Sequence, residues 1–182
     1  MIKYLSIIIF FFLINNSIAN NKKNIINNLK ETKNINFEFE QNINEKIEKG
    51  NCVIEYPKKI FCEYSGENNK ILISNGNSLV IKTKTSYYLY PLENTPLYFI
   101  LDKNYLINKI YNLNERVIDE SFVNYKITEN GSEINIFFDK KSFNLIGWQT
   151  KDIYQNFNIT FLSSVKKNEL INENLFKLPL QN

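Results

Sequence analysis

The chain of 182 residues contains no histidine, one tryptophan and only two cysteines. The absence of histidine excludes Ser-His-Asp and Cys-His nucleophilic sites and most zinc sites. No G-x-S-x-G motif, glycine-rich phosphate loop or calcium-loop pattern occurs either. We therefore expect no catalytic residue, no metal and no organic cofactor, and we interpret the protein as a non-enzyme.

Carboxylates are present, but they occur mostly singly on the polar side of strand-like patterns. Glu38 and Glu40, for example, alternate with Phe37 and Phe39. This spacing is typical of a strand face that is exposed to solvent. A paired-carboxylate site of the glycosidase kind is the less favoured alternative, and the sequence alone leaves it open.

Charge is nearly balanced, and arginine is almost missing. The formal net charge is +3, and Arg116 is the only arginine in the chain. Recognition of bases and phosphates favours the planar fork of arginine, and binding to nucleic acid favours a clustered basic surface. The sequence therefore predicts that nucleic acid is not a partner.

The N-terminus has the three parts of a secretory signal. Lys3 provides a positive charge, residues 5–14 are almost entirely apolar, and the run S-I-A at 17–19 offers small residues before a cleavage site. The apolar run is about half of the ~20 residues that span a bilayer, so a permanent anchor is the less favoured alternative. We expect a signal peptide over 1–19 and one exported domain, a monomer, over 20–182.

The stretch between Cys52 and Cys62 predicts a β-hairpin. Side chains alternate between two faces on either side of a break at Pro57. The two cysteines fall on the same face of neighbouring strands, in a chain that we expect to reach an oxidising compartment. We therefore predict a Cys52–Cys62 disulfide, with two small buried thiols as the alternative.

The remaining pattern predicts a mainly β fold with short helices. Helical spacing marks residues 22–33 and one or two short helices within 95–113, with Thr95 as the cap. Asn75-Gly76 between apolar runs is a strong hairpin signal. About ten one-sided strands favour a single antiparallel sheet that curls and has its apolar face covered by the helices. The predicted strands begin near residues 35, 52, 60, 70, 79, 87, 123, 134, 143 and 153.

Six short motifs follow an amphipathic helix and cover nearly the whole of 20–182. They are F-E-F-E-Q at 37–41, G-x-x-x-x-x-x-P at 50–57, I-S-N-G-N-S-L at 73–79, the helix at 96–101, D-x-x-x-N-x-x-I-T-F at 152–161 and F-K-L-P at 176–179. In this order and spacing they resemble the LolA-like family of periplasmic outer-membrane lipoprotein carriers. The resemblance implies an unclosed β-barrel with a helical lid over an apolar cavity.

The resemblance also implies a function, partners and site residues. The cavity would carry the acyl chains of acylated lipoproteins through the periplasm, from an inner-membrane lipoprotein-releasing ABC transporter to an outer-membrane lipoprotein acceptor. The expected lid residues are Leu97, Phe99, Ile100 and Leu101. The expected cavity residues are Phe37, Phe39, Ile54, Tyr56, Tyr64, Ile136, Phe138, Phe157 and Ile159.

Other interpretations remain open at this point. Each apolar strand residue would equally suit a packed core, and the helix at 97–101 would equally suit a fixed cover. Many family members have an arginine before the hairpin proline, thought to hold the lid, whereas Tyr56 stands here. A lipid- or lipoprotein-sensing module of the same fold, with a regulatory role, is the alternative function.

Overall fold

One antiparallel sheet of eleven strands forms most of the structure. The structure is a computed structural model that describes residues 21–129, 131–151 and 156–181. The strands are β1 (Asn34–Ile43), β2 (Lys46–Glu55), β3 (Lys59–Tyr64), β4 (Ile71–Asn75), β5 (Ser78–Lys82), β6 (Tyr87–Pro91), β7 (Arg116–Ile118), β8 (Phe122–Glu129), β9 (Ser132–Asp139), β10 (Leu145–Lys151) and β11 (Phe157–Lys167). Two runs of hairpins, β1 to β6 and β7 to β11, are joined where β1 pairs with β11.

The edges of the sheet are β6 and β7, and within the described residues these two strands are not paired with each other. The expected fold class, a mainly β protein with one unclosed antiparallel sheet, is therefore confirmed. Three predicted features lie outside the described residues: the signal peptide, Asn130 of a predicted turn, and the turn after Lys151 together with Ile153.

The described residues contain three α-helices: α1 (21–31), α2 (Leu97–Ile100) and α3 (Lys103–Asn112). Two short 3-10 helices lie at Leu92–Asn94 and Glu173–Phe176. The helices predicted within 22–33 and 95–113 are confirmed. In the described part of the chain, no helix combines the length and apolar character needed to span a membrane. The middle helical region is split because Asp102 begins α3, where its carboxylate accepts a hydrogen bond from the Tyr105 backbone N–H at 3.0 Å.

The prediction that Thr95 caps the first of these helices is wrong. Pro96 occupies the N-cap position of α2, without a side-chain cap. The Thr95 hydroxyl instead donates a hydrogen bond backwards to the Leu92 carbonyl at 2.8 Å. A threonine side chain can cap the helix that follows it or close the turn before it, and here its hydrogen bond closes the turn.

The core lies on one face of the sheet, which we call the inner face. In β8 and β9 the inward residues are almost fully buried, and the residues between them are largely partly buried or exposed. Apolar residues of all three helices pack into the same cluster. This arrangement is what one-sided strands require, because their apolar face must be removed from water. The inward residues are Val123, Tyr125 and Ile127 of β8, and Ile134, Ile136 and Phe138 of β9.

The Cys52–Cys62 hairpin and its disulfide are confirmed. Strands β2 and β3 pair with Cys52 directly opposite Cys62, and the two sulfur atoms are bonded. Both cysteines are buried on the inner face. No free cysteine occurs in the part of the chain that the structure describes.

Candidate functional site

A cavity of about 240 Å³ lies between the inner face of the sheet and α2. Strands β1 to β5, β10 and β11 contribute to its wall, and the Cys52–Cys62 disulfide borders it. The alternation of β3, β4 and β5 turns an apolar side chain toward the cavity at every second residue. The apolar part of the wall includes Ile60, Leu72, Leu79, Ile81, Leu97 and Ile100, together with Phe39, Ile43, Pro96 and Trp148.

Two of the nine residues expected in the cavity, Phe39 and Tyr64, border it. Their rings are in edge-to-face contact, with centroids 4.9 Å apart. Four others lie on the inner face but are buried in the packed core and do not border the cavity: Phe37, Ile54, Ile136 and Phe138. For these four, the packed-core alternative describes the position correctly.

Tyr56 lies away from the cavity, in a narrow crevice beside α1. It shares that crevice with Leu29, Ile35 and Phe143. Burial raises the pKa of its hydroxyl, so the side chain stays neutral. The residue before the hairpin proline thus packs against the core, and any charge that holds α2 must come from elsewhere.

Phe157 and Ile159 were placed on the wrong face by the sequence pattern. Thr160 of β11 pairs with Gln41 of β1, whose side chain borders the cavity. Because faces alternate along a strand, Phe157 and Ile159 point outward. Phe157 is 51% exposed. The pattern was misleading because β11 has apolar residues on both faces.

The outward residues of β11 have partners on the outer face of the sheet. The Phe161 ring stacks on Phe137 of β9, with centroids 6.1 Å apart, and Phe137 meets Phe122 edge to face. Gly147 of β10 lies between these rings, where an added Cβ would approach the Thr160 carbonyl oxygen to 2.5 Å. These ring contacts account for part of the apolar content of the outer face without any role in the cavity.

The inner face of β1, β10 and β11 brings polar side chains to the cavity beside the apolar Phe39, Ile43 and Trp148. The Gln41 amide nitrogen donates to the Asn158 side-chain oxygen at 2.9 Å and to the Thr160 hydroxyl at 3.1 Å. The Tyr64 hydroxyl donates to the Gln41 side-chain oxygen at 3.3 Å. We call Gln41, Tyr64, Asn158 and Thr160 the polar cluster; all four border the cavity.

An ion pair stands beside the polar cluster. The Lys70 ammonium lies 2.6 Å from a Glu48 carboxylate oxygen and 3.9 Å from the centre of the Tyr64 ring. Burial alone would raise the pKa of Glu48, but hydrogen bonds from Lys70 and then Lys46 outweigh it and lower the pKa. Burial, and then the Glu48 charge, raise the pKa of the Tyr64 hydroxyl, which therefore stays a donor.

The four expected lid residues divide between the cavity and the core. Leu97 and Ile100 border the cavity. Phe99 instead contacts Tyr98 and Tyr105, with ring centroids 5.3 and 5.0 Å away. Leu101 is fully buried in the core cluster. The four-residue helix α2 thus covers the cavity with one side and is fixed to the core at its end.

Lys58, in the turn between β2 and β3, holds the end of α2. Its backbone N–H donates to the Leu101 carbonyl at 2.8 Å. Its ammonium lies 3.3 Å from an Asp102 carboxylate oxygen and 3.9 Å from the centre of the Tyr98 ring. The contact with Tyr98, and then the pairing with Asp102, raise the pKa of Lys58 above its ordinary value. These contacts tie the hairpin to α2 and the residues that follow it.

Sequence reasoning missed Gln41, Asn158 and Thr160 of the polar cluster, and it missed Lys58. A signal for Gln41 exists, because it occupies the inward position between Phe39 and Ile43 in a period-two pattern. No local signal identifies Lys58, since its partners are about 40 residues away. Among the described residues, no group of three His, Cys, Asp or Glu side chains could hold a metal ion.

Comparisons with known proteins agree with this architecture. A search of curated proteins finds no match. Among solved structures, an uncharacterized conserved protein from Thermus thermophilus superposes with a TM-score of 0.52 at 9% identity, over 88% of this chain and 94% of that chain. A LolA superfamily protein from Nitrosomonas europaea superposes with a TM-score of 0.44 at 7% identity, over 85% and 97%.

At such low identity the Thermus structure shows likeness of fold alone. The family comparison goes further, because it is made on the sequence itself. The profile described as "Outer membrane lipoprotein carrier protein LolA" matches residues 21–179. Since this match covers most of the chain, the chain belongs to the LolA family.

Proposed function

We propose that this protein is a periplasmic carrier that holds acyl chains of lipoproteins in the cavity between the inner face of the sheet and α2. It receives them from an inner-membrane ABC transporter and delivers them to an outer-membrane acceptor. The observation that carries the proposal is an apolar cavity covered by a four-residue helix in a member of the LolA family. The proposal assigns binding to this site, not catalysis.

The size of the cavity fits a closed, unloaded state. Ligand pockets usually measure about 300–1,000 Å³, whereas this cavity measures about 240 Å³. It therefore holds only part of a long acyl chain unless α2 moves outward. Each methylene that enters contributes ~0.8 kcal/mol. Partial burial of the acyl chain limits the total binding free energy. A carrier needs this limit because it must release its cargo.

The disulfide supports the proposed compartment. A bond between Cys52 and Cys62 forms and persists in oxidising compartments such as the bacterial periplasm, and it is rare in the cytosol. The bond lies in the cavity wall, where it fixes β2 against β3. A wall fixed in this way lets α2 move while the sheet keeps its shape.

The proposal is tested by recovering the protein from the periplasm and identifying co-purifying acylated lipoproteins by mass spectrometry. A second assay measures release of lipoprotein from inner-membrane vesicles. Ile81→Glu places a charge in the cavity and should abolish both signals, because desolvating a charge opposes entry of an acyl chain. Phe157→Glu, on the outer face, is the matched control and should behave as the parent protein. Equal lipoprotein release with Ile81→Glu and the parent would refute the proposal.

A further inference from the structure

The polar cluster interrupts a cavity wall that is mostly apolar, with Lys70, Thr95 and Thr150 as the other polar residues that border it. Gln41, Asn158 and Thr160 come from two paired strands, with Gln41 opposite Thr160 and Ile43 opposite Asn158. Thr160 is only 3% exposed. Polar groups are costly to bury unless they are hydrogen-bonded. A wall built only to hold hydrocarbon would have apolar residues at these inward positions.

The hydrogen bonds inside the cluster assign different tasks to its members. The Gln41 amide donates to Asn158 and Thr160, and its oxygen accepts from Tyr64. Gln41 is thus occupied by its neighbours and fixes their orientation. A hydroxyl that accepts one hydrogen bond still has a hydrogen to donate, and an asparagine that accepts through its oxygen still has its amide hydrogens. Thr160 and Asn158 therefore offer donors at the cavity wall.

The opposite part of the cavity is apolar. Leu72, Leu79 and Ile81 of β4 and β5 border it, together with Leu97 and Ile100 of α2. A ligand that matches both parts has a hydrocarbon tail and a hydrogen-bond acceptor at one end. The cluster offers neutral N–H and O–H donors, and the neighbouring Lys70 ammonium is already paired with Glu48. A neutral carbonyl oxygen therefore suits the cluster better than an anionic group.

We propose that the polar cluster binds the carbonyl oxygen of an acyl ester or amide, with the tail directed toward β4, β5 and α2. Thr160 and Asn158 donate to this oxygen, and Gln41 positions both of them. The inference rests on the proposed function, since it concerns the same cavity. It adds a fixed orientation for the chain and a preference for acyl over alkyl ligands.

The test compares three single-chain probes of equal tail length: 1-decanoylglycerol, N-decanoylethanolamine and 1-O-decylglycerol. The first has an ester carbonyl, the second an amide carbonyl and the third only an ether oxygen. Calorimetric titrations below the micelle concentration give their affinities for the parent protein. We expect at least one carbonyl probe to bind roughly threefold to tenfold more tightly than the ether, the range of one net hydrogen bond. The ester and amide arms identify which linkage is preferred.

Variants of one position isolate the hydroxyl. Thr160→Val keeps the shape of the side chain and removes one of the two donors. The preference for the carbonyl should therefore shrink to what Asn158 alone supports, while the ether affinity stays the same. Thr160→Ser keeps the hydroxyl and should retain the preference. Thr128→Val, at an exposed position on the outer face of β8, is the matched control. Circular dichroism verifies that each variant is folded.

The outcomes separate the two proposals. If the three probes bind the parent with equal affinity, acyl-chain binding stands and the carbonyl inference is overturned. An unchanged preference in Thr160→Val would also overturn it. If none of the three probes binds the parent, the proposed function itself fails, and the inference fails with it.

Discussion

The two halves of the inner face have the same alternating pattern, but one half is packed against helices and the other half borders a cavity. Beneath α1 and α3, the inward residues of β8 and β9 are packed without exposure. Beneath α2, the inward residues of β3 to β5 border a cavity. The difference lies in the cover, since α3 has ten residues and α2 has four. A short cover leaves part of an apolar face unfilled, and that unfilled part is the candidate site.

Helices α3 and α2 also differ in the contacts that hold them to the rest of the protein. Helix α3 is tied to β8 through Glu129, which accepts from the Tyr105 hydroxyl at 2.7 Å and pairs with Lys109 at 2.8 Å. Helix α2 depends largely on the hairpin turn at Lys58, which contacts Tyr98 and Asp102. We therefore expect the α3 half to give stability and the α2 half to give ligand exchange.

The largest expected effect comes from placing one charge in each half. Ile136→Glu puts an unpaired carboxylate into the packed half and should destabilise the protein by about 5 kcal/mol or more, which approaches the whole stability of a typical domain. Ile81→Glu faces the cavity and should leave the fold intact. Urea unfolding followed by circular dichroism measures both. A folded, stable Ile136→Glu variant would show that the two halves do not differ in the way described.

Removal of the disulfide should give the next largest effect. Cys52 and Cys62 are ten residues apart, and closing so short a loop stabilises by about 2–3 kcal/mol in the chain-entropy model. The double variant Cys52→Ala/Cys62→Ala should lose this amount of unfolding free energy and keep the fold. The parent should show no free thiol when it is unfolded without reductant. Two titratable thiols per chain would refute the bond.

The contact between hairpin and lid should matter more for exchange than for stability. Lys58→Met keeps the length of the side chain but removes the charge from Tyr98 and Asp102, a loss of about 1 kcal/mol. Release of a bound acyl probe should accelerate roughly fivefold, since 1.4 kcal/mol corresponds to about tenfold. Stopped-flow fluorescence measures the rate. Lys59→Met removes the pair with Glu55 and the contact with the Phe176 ring, neither of which involves α2. It is the control and should release the probe at the parent rate.

The smallest expected effect is a pH dependence that arises from Glu48. Its pKa in the folded protein is lowered from 4.5 by Lys70 and Lys46. A lowered pKa means that the pairing stabilises the fold above about pH 4.5 and is lost as the pH falls through the folded value. The parent should exceed Glu48→Gln in stability by about 1 kcal/mol at most near pH 7. A difference that grows as the pH falls from 5 to 3 would rule out this assignment.

Sequence reasoning succeeded where structure depends on neighbours in the chain. The alternation around Cys52 and Cys62 predicted the hairpin and the disulfide, because both strands lie within about ten residues of each other. Helical spacing located all three helices for the same reason. The motifs led to the LolA family, since they record the order of these local elements.

Sequence reasoning failed at β11 because a local pattern could not choose between two faces. Phe157, Ile159 and Phe161 look more like core residues than Asn158, Thr160 and Leu162 do. The choice is made by pairing with β1, more than 110 residues earlier in the chain, where Thr160 lies opposite Gln41. Stacking of Phe161 on Phe137 gives the half-exposed ring a partner on the outer face.

The sequence by itself thus determined a one-sheet β fold with a disulfide-bonded hairpin and short helices, because hydrophobic period, turns and cysteine spacing are local properties. The tertiary structure alone decided which face of β11 is inner, which inward residues are packed and which border a cavity, and that Lys58 holds α2. Each of these depends on which distant segments meet and on how much volume a helix fills above a sheet. The candidate site is defined by space left unfilled, and a linear pattern contains no measure of that space.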